Sequence, residues 1–174
     1  MWTYAQFLQD AAQKGETGNT VFEERLFDLV GVMHRVADTL SDGDIPYEVI
    51  GGMAVLIHVE EASPEHSSLT RDVDLLVRRA DLGRIQEAAA KGGFRFRHAA
   101  GVDMLVERGA RNTVRLKFSE VIAPERKQIH GKDVLVIPVA DLLQMKLTSF
   151  GLKDQVHVQS MDAAGLLTAR WKRS

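Results

Sequence analysis

Two aspartates that flank a single valine are the residues of this sequence whose type and spacing most directly indicate chemistry. Asp72 and Asp74 lie in the run DVDLLV, which has the apolar, β-branched composition of a strand. Since a strand sends successive side chains to opposite faces, both aspartates point to one face and Val73 to the other. Two carboxylates held this close repel each other unless a cation lies between them or water covers both.

A bound metal ion is the functional explanation for the aspartate pair. Mg²⁺ is a hard cation that takes oxygen ligands and also binds substrate phosphates, so Asp72 and Asp74 are predicted metal ligands and catalytic residues. The alternative requires no ligand. One aspartate then pairs with a nearby arginine such as Arg71, Arg78 or Arg79, and water covers the face.

Two adjacent glycines earlier in the chain could let a phosphate approach the backbone. The run YEVI at 47–50 predicts a strand, MAVLIHVEE predicts a short helix, and Gly51 and Gly52 lie between them. Bare backbone at such a turn can approach a phosphate while the N–H groups of the helix point at it. The alternative is a tight strand-to-helix turn that needs a positive φ, and the sequence favours neither explanation.

The elements that position these motifs follow from the spacing of apolar residues. Residues 3–13 predict a short helix, the GETGN segment at 15–19 predicts a loop, and the run from Thr20 to Leu40 predicts an amphipathic helix. Thr20 and Glu23 fit a capping box at the start of that helix.

The rest of the chain alternates between helical and strand patterns. A helix is predicted for ADLGRIQEAAAK, and strands are predicted for FRFRHA, VDMLVE, TVRLKFSEV and VLVIPV. The connections between the first three of these strands are too short for crossovers, so they should pair antiparallel. The runs ADLLQMKLTSF and LKDQVHVQSMDAAGLL predict one interrupted helix or two packed helices, with Gly151 at the joint. We therefore predict an α/β protein with a mixed β-sheet flanked by helices and with helical N- and C-terminal segments.

Length and composition predict a single domain over 1–174, with N-terminal helices at 1–45, an α/β core at 46–139 and C-terminal helices at 140–174. The net charge of −2 argues against nucleic-acid binding through overall basicity but is compatible with a local basic patch. The sequence has no cysteine, which excludes disulfides and thiolate metal sites. Without a signal-like or membrane-spanning stretch, we expect a cytoplasmic protein with no membrane partner.

The run IGGMAV followed by LTRDVDLLV resembles the core of the DNA polymerase beta-like nucleotidyltransferase superfamily. More narrowly, it resembles the small bacterial nucleotidyltransferase-like proteins that include abortive-infection type toxins. In those families a Gly-Gly or Gly-Ser turn and an Asp-x-Asp or Asp-x-Glu strand bind NTP and Mg²⁺. The resemblance covers roughly residues 46–166 and implies a nucleotidyltransferase-like fold. It further implies that Gly51, Gly52 and Arg71 contact the nucleotide.

The segment MKLTSFGLKDQVHVQSMD is similar to a Lys…Lys-Asp…Asp helical segment of that branch, which implies nucleotide contacts from Lys146, Lys153 and His157. In one continuous helix these three residues and Phe150 would form a single stripe that could face a triphosphate. The alternative is two surface lysines and a packed or exposed histidine. Asp154 could then cap a second helix.

A third carboxylate is the feature of the superfamily that this sequence lacks at the expected place. That acid commonly helps to bind the metal near the attacking hydroxyl and can take its proton. The run TVRLKFSEV instead offers Arg115 and Lys117 on one strand face. The candidate substitutes for this acid are Asp103, Glu107 and Glu120. The lack of a third carboxylate at this position weakens the argument for catalysis more than the argument for nucleotide binding.

Three hypotheses about function follow. The first is a Mg²⁺-dependent transferase that moves an NMP group from an NTP to a hydroxyl acceptor, which is a protein, a tRNA or a small molecule. The second is a nucleotide-binding or regulatory protein on the same fold that has lost turnover, which Arg115 and Lys117 favour. The third is a toxin that modifies tRNA or protein and is neutralised by an antitoxin partner.

Overall fold

The computed structural model describes residues 15–67 and 70–168 of the chain, which contain a seven-stranded sheet with helices packed on it. The strands are β1 (Tyr47–Ile50), β2 (Val73–Val77), β3 (Phe94–Ala99), β4 (Val102–Glu107), β5 (Thr113–Phe118), β6 (Glu125–Ile129) and β7 (Lys132–Val136). The helices are α1 (Gly15–Asp42), α2 (Gly51–Ala62), α3 (Leu82–Lys91), α4 (Val139–Ser149) and α5 (Leu152–Ala163). Short 3₁₀ turns span Pro64–His66 and Arg79–Asp81.

The sheet is mixed, as the sequence predicts. Its strand order is β3-β4-β5-β2-β1-β7-β6. The pairs β2/β5 and β1/β7 are parallel, and the other neighbouring strands pair antiparallel. Helix α1 packs against α3, while α2 packs against both α4 and α5. The predicted α/β class and the antiparallel pairing of β3, β4 and β5 are confirmed.

Alternation along β2 separates the two faces of the sheet. Val73, Leu75 and Val77 are each 0% exposed and point to one side, which we call the core face. Leu75 lies opposite Val49 on β1 and Leu116 on β5, so the core face continues across the central strands. The opposite side, to which the aspartates point, is called the site face.

The N-terminal part of the chain departs from two predictions. Helix α1 begins at Gly15, so the loop predicted at 15–19 is wrong and the predicted capping box at Thr20 and Glu23 lies inside the helix. Glycine disfavours a helix by only about 1 kcal/mol and keeps its backbone donor, so Gly15 and Gly18 do not end it. The helix predicted at 3–13 lies outside the described residues.

The C-terminal segment forms two helices rather than one. Phe150, at the end of α4, has a left-handed backbone with φ of 35°, and α5 begins after Gly151. The helices pack against each other, which is one of the two arrangements that the sequence predicts. Within the described residues, none of the helices is long and apolar enough to cross a membrane.

Candidate functional site

The glycine turn lies directly beside the aspartate strand. β1 ends at Ile50, which is opposite Asp74 in the antiparallel pair of β1 and β2. Gly51 then opens α2 with φ of +67°, a conformation that glycine adopts without steric cost. A Cβ on Gly51 would lie 2.9 Å from Asp74 Oδ2, and a Cβ on Gly52 would lie 2.7 Å from Thr70 Oγ1. Gly51 therefore permits close packing against Asp74 and provides the positive φ of the turn, while Gly52 permits close packing against Thr70.

Arg115 lies between the two aspartates. It is opposite Asp74 in the parallel pair of β2 and β5, which places its side chain on the site face. Its Nε donates to Asp74 Oδ1 at 2.6 Å and its Nη2 donates to Asp74 Oδ2 at 3.1 Å. The same Nη2 lies 3.1 Å from Asp72 Oδ2. The hydrogen bonds with Asp74 raise the pKa of Arg115 above its ordinary value, and the guanidinium relieves the repulsion between the carboxylates.

The cation beside the aspartates is therefore not one of the arginines nearby in sequence. Arg78 pairs with Asp81 at 2.9 Å, and Arg79 pairs with Asp103 at 3.2 Å. Parallel pairing of β2 with a strand some 40 residues later brings Arg115 there instead. The alternative of local arginine pairing is wrong for Arg78 and Arg79.

None of the three substitutes for the missing acid faces the aspartates. Asp103 is opposite Leu116, so it points to the core face, where it contacts His98 and Arg79. Glu107 also points to the core face and accepts hydrogen bonds from Arg35 and Asn112. Glu120 is an exposed residue beyond the end of β5. The site face of β5 presents cations where the third carboxylate is expected.

This donor set does not fit Mg²⁺ in the observed arrangement. Both oxygens of Asp74 and one of Asp72 already contact the Arg115 guanidinium. Over 15–67 and 70–168, no group of three or more His, Asp or Glu side chains could hold a metal ion. An Mg²⁺ ion would have to displace the guanidinium, and its protein ligands would then be the two carboxylates of Asp72 and Asp74.

The two C-terminal helices contribute a second cation to the same region. Lys146 on α4 is buried, and its Nζ donates to Asp154 Oδ1 of α5 at 2.9 Å. Asp154 Oδ2 accepts from Ser149 and from the Gly151 amide. Burial opposes ionisation of Asp154, but these hydrogen bonds outweigh it and hold its pKa below the ordinary value. Asp154 therefore caps α5 and joins it to α4 through Lys146.

The single stripe that one continuous helix would give does not form, because the chain breaks at Phe150. The packing of α4 against α5 nevertheless keeps Lys146, Lys153 and His157 on the same cleft. His157 is 8% exposed, and its Nδ1 has no hydrogen-bond partner among the described residues. Burial, and then the nearby charge of Lys146, lowers the pKa of His157 to about 4. The imidazole is therefore neutral at pH 7 and does not offset phosphate charge.

We expect the free energy of unfolding to fall between pH 7 and pH 5, because folding keeps His157 neutral. The folded pKa of about 4 lies below the ordinary 6.5, so the unfolded chain binds more protons in this range. Protonation of His157 alone should lower the free energy of unfolding by about 2 kcal/mol between pH 7 and pH 5. Burial also lowers the pKa of His34 and His58, so both add to the loss of stability on acidification. Burial raises the pKa of Glu48, which has the opposite effect on stability.

Urea denaturation of the parent and of His157→Gln at both pH values isolates the contribution of His157. The variant should lose about 2 kcal/mol less than the parent on acidification. Identical pH dependence in the two proteins would contradict the assignment.

All the predicted site residues line one open cleft of about 670 Å³. The cations on its lining are Arg71, Arg115, Lys117, Lys146 and Lys153, against the carboxylates of Asp72, Asp74 and Asp154. The apolar part of its wall on α4 and α5 includes Leu142, Met145, Leu152 and Val156. With His157 neutral, the charges that line the cleft favour an anion with an apolar part.

No protein-family model and no curated protein matches this sequence. Solved structures do match it. The Megavirus polyadenylate synthase aligns with a TM-score of 0.68 at 10% identity over 96% of this chain, which spans 39% of that longer chain. The antibiotic-resistance factor ANT(2'')-Ia aligns with a TM-score of 0.58 at 11% identity, over 86% of this chain and 93% of that one. The lincosamide antibiotic adenylyltransferase LnuA gives a TM-score of 0.55 at 10% identity, over 82% and 97%.

The chain has the nucleotidyltransferase fold. At such low identity these likenesses establish the fold alone, so the function has to be argued from the site. The nucleotidyltransferase-like fold that the sequence motifs imply is confirmed.

Some residues of the cleft are not among the predicted site residues. Thr70, Leu152 and Val156 line it, and they lie inside the two runs that carry the resemblance. Leu152 and Val156 are 83% and 55% exposed, so both are accessible to a ligand in the cleft. The break at Gly151, which is visible in the sequence, is the signal that could have indicated a helix start beside the cleft.

Proposed function

We propose that the cleft binds a nucleoside triphosphate and that the cations around the aspartates hold its phosphates without a metal ion. The observation that carries this proposal is the Arg115 guanidinium, which lies between Asp72 and Asp74 where a metal would be expected. A guanidinium presents five donors in a planar fork, so Arg115 can keep its carboxylates and still donate toward a phosphate oxygen.

The other cations of the cleft add to this anion site. Arg71, Lys117 and Lys153 line the cleft and have no carboxylate partner within 4.0 Å in the described part of the chain. The volume is in the range of pockets that hold small ligands and cofactors. The apolar wall of Leu152 and Val156 suits the flat surface of a base. The proposal therefore places the phosphates near the cations of β5 and Lys153, and the base against Leu152 and Val156.

Changing Arg115 and Lys117 together to Gln should weaken metal-free NTP binding by roughly tenfold or more, about 1.4 kcal/mol, because two charge-assisted contacts are lost. Equilibrium binding of a fluorescent NTP analogue in the presence of EDTA measures the effect. The matched control is Arg126→Gln with Lys132→Gln, which removes the same charge from the β6–β7 hairpin. Lys117→Gln alone leaves the Arg115–aspartate contacts in place and should cause part of the loss. Unchanged affinity in the double variant would refute the proposal.

A second candidate function is transfer of an NMP group to a hydroxyl acceptor. Asp72 favours it, because this carboxylate is 43% exposed, lines the cleft and is available to take a proton from the acceptor. The acceptor oxygen would then bond to the α-phosphorus, and pyrophosphate would leave. ANT(2'')-Ia, solved in complex with adenylyl-2''-tobramycin, and LnuA, an adenylyltransferase, have the same fold. We propose that the acceptor is a small molecule, a tRNA or a protein. If it is a tRNA or a protein, the enzyme would be a toxin that an antitoxin partner neutralises.

Pyrophosphate release distinguishes binding from transfer. The protein is incubated with each labelled NTP and a cell extract, with and without Mg²⁺. If transfer occurs, Asp72→Asn should abolish it, whereas NTP affinity should stay within about twofold because the Arg115–Asp74 pair is intact. NTP binding without pyrophosphate release from any extract would leave binding as the function. Transfer that persists in Asp72→Asn would refute the role of that carboxylate.

A further inference from the structure

The site face of β3, β4 and β5 continues the cleft toward the edge of the sheet. Asp74 is opposite Arg115 on β5, Arg115 is opposite Met104 on β4, and Met104 is opposite Arg97 on β3. These four residues therefore form one row across four strands. With about 4.8 Å between strands, the row extends about 14 Å from Asp74 to Arg97.

This part of the sheet carries cations and no carboxylate. The side chains on the site face of the three strands are Arg95, Arg97, Ala99, Val102, Met104, Val106, Thr113, Arg115 and Lys117. The two acids of these strands, Asp103 and Glu107, point to the core face. We call this site-face surface of β3, β4 and β5 the cationic sheet face.

Most of the charge on this face is free to bind a ligand. Arg95, Arg97 and Lys117 are exposed, and none of them has a carboxylate within 4.0 Å over 15–67 and 70–168. By contrast, Asp103 pairs with Arg79 and Glu107 with Arg35 on the other side of the sheet. The acids of these strands therefore lie on the core face and the unpaired cations on the site face. The site face is a local basic patch, although the net charge of the whole chain is −2.

We propose that the cationic sheet face binds the phosphodiester backbone of a single-stranded nucleic acid whose end enters the cleft. Cations at positions i and i+2 of a strand lie about 7 Å apart, as Arg95 and Arg97 do, and suit a chain with regularly spaced negative charges. A single strand can follow a flat row that leads into a cleft, which an intact duplex cannot enter. The aliphatic residues between the cations offer no aromatic ring for stacking, so little base preference is expected. This inference deepens the proposed function by naming the class of ligand that lies beside the bound NTP.

The test measures binding of a fluorescein-labelled 20-nucleotide oligo-U RNA by anisotropy over a range of salt concentrations. Arg95→Gln with Arg97→Gln should weaken binding at least tenfold at 100 mM salt. The slope of log K against log salt should decrease by about 1.4, which is about 0.7 for each lost phosphate contact. The matched control, Arg126→Gln with Lys132→Gln, should change affinity less than twofold, because these residues lie on the β6–β7 hairpin.

Three outcomes would overturn the inference. They are no RNA binding by the parent, equal losses in the two double variants, and binding of duplex RNA or poly-glutamate as tight as that of the single strand. The last outcome would indicate a duplex or an acidic protein as the ligand. NTP binding by the Arg95/Arg97 variant should match the parent. RNA binding without NTP binding would therefore refute the proposed function and leave the sheet-face proposal standing.

Discussion

Gly51→Ala should both destabilise the protein and reduce its affinity for NTP. The residue has φ of +67°, which costs an L-amino acid with a side chain about 1–2 kcal/mol. The added methyl would also lie 2.9 Å from Asp74 Oδ2, so the carboxylate that holds Arg115 must move. We expect a loss of roughly tenfold or more in metal-free NTP binding, since the displaced Arg115 is the central phosphate contact of the proposed site.

Gly93→Ala separates the effect on the site from the effect on the backbone. Gly93 has φ of +87°, and a Cβ there would meet nothing within 4 Å. This variant should therefore lose a similar 1–2 kcal/mol through backbone strain while NTP affinity stays at the parent value. Melting curves and NTP titrations of the two variants side by side give the comparison. Equal NTP affinity in Gly51→Ala and Gly93→Ala would contradict a role for the glycine turn in the site.

Local patterns predict the parts of this site that depend on neighbouring residues. Alternation in DVDLLV puts both aspartates on one face, and the strand-Gly-Gly-helix pattern predicts the glycine turn between β1 and α2. The break at Gly151 predicts the joint between α4 and α5. Each of these features is set by backbone geometry over a few residues, which is the information that a single sequence carries best.

Pairing between distant strands accounts for what the sequence does not predict. The contact of Arg115 with both aspartates depends on the parallel register of β2 and β5, which no local pattern specifies. The sequence does not predict strand β6, because ERKQI is a polar run and the strand lies at the sheet edge, where an apolar face is not needed. The sequence does offer Gly131 as a turn signal there, and the structure shows positive φ at both His130 and Gly131, as in a two-residue hairpin between β6 and β7.

The position of Arg115 predicts that one substitution can create a metal site. Arg115→Glu would place a third carboxylate on the site face next to Asp72 and Asp74, in place of the guanidinium that contacts both. Three carboxylates repel one another, so this variant should be less stable than the parent without metal. Hard divalent cations take oxygen ligands, so Mg²⁺ should bind there and restore stability.

The rise in melting temperature with Mg²⁺ gives a quantitative test. A ligand at 100 times its Kd adds about 2.7 kcal/mol to the folded state. At about 2–4 °C per kcal/mol for a chain of this size, Arg115→Glu should melt roughly 5–10 °C higher in saturating Mg²⁺ than in EDTA. The parent should show no such rise, because Arg115 holds the carboxylates.

Lys117→Glu is the matched control for this substitution. It adds the same acid to the same face of β5, but its position is opposite Leu76 rather than an aspartate. Its melting temperature should therefore not depend on Mg²⁺. A rise of the same size in both variants would mean that Mg²⁺ acts on overall charge. If the melting temperature of Arg115→Glu does not rise with Mg²⁺, a carboxylate at this position of β5 does not form a metal site with the two aspartates.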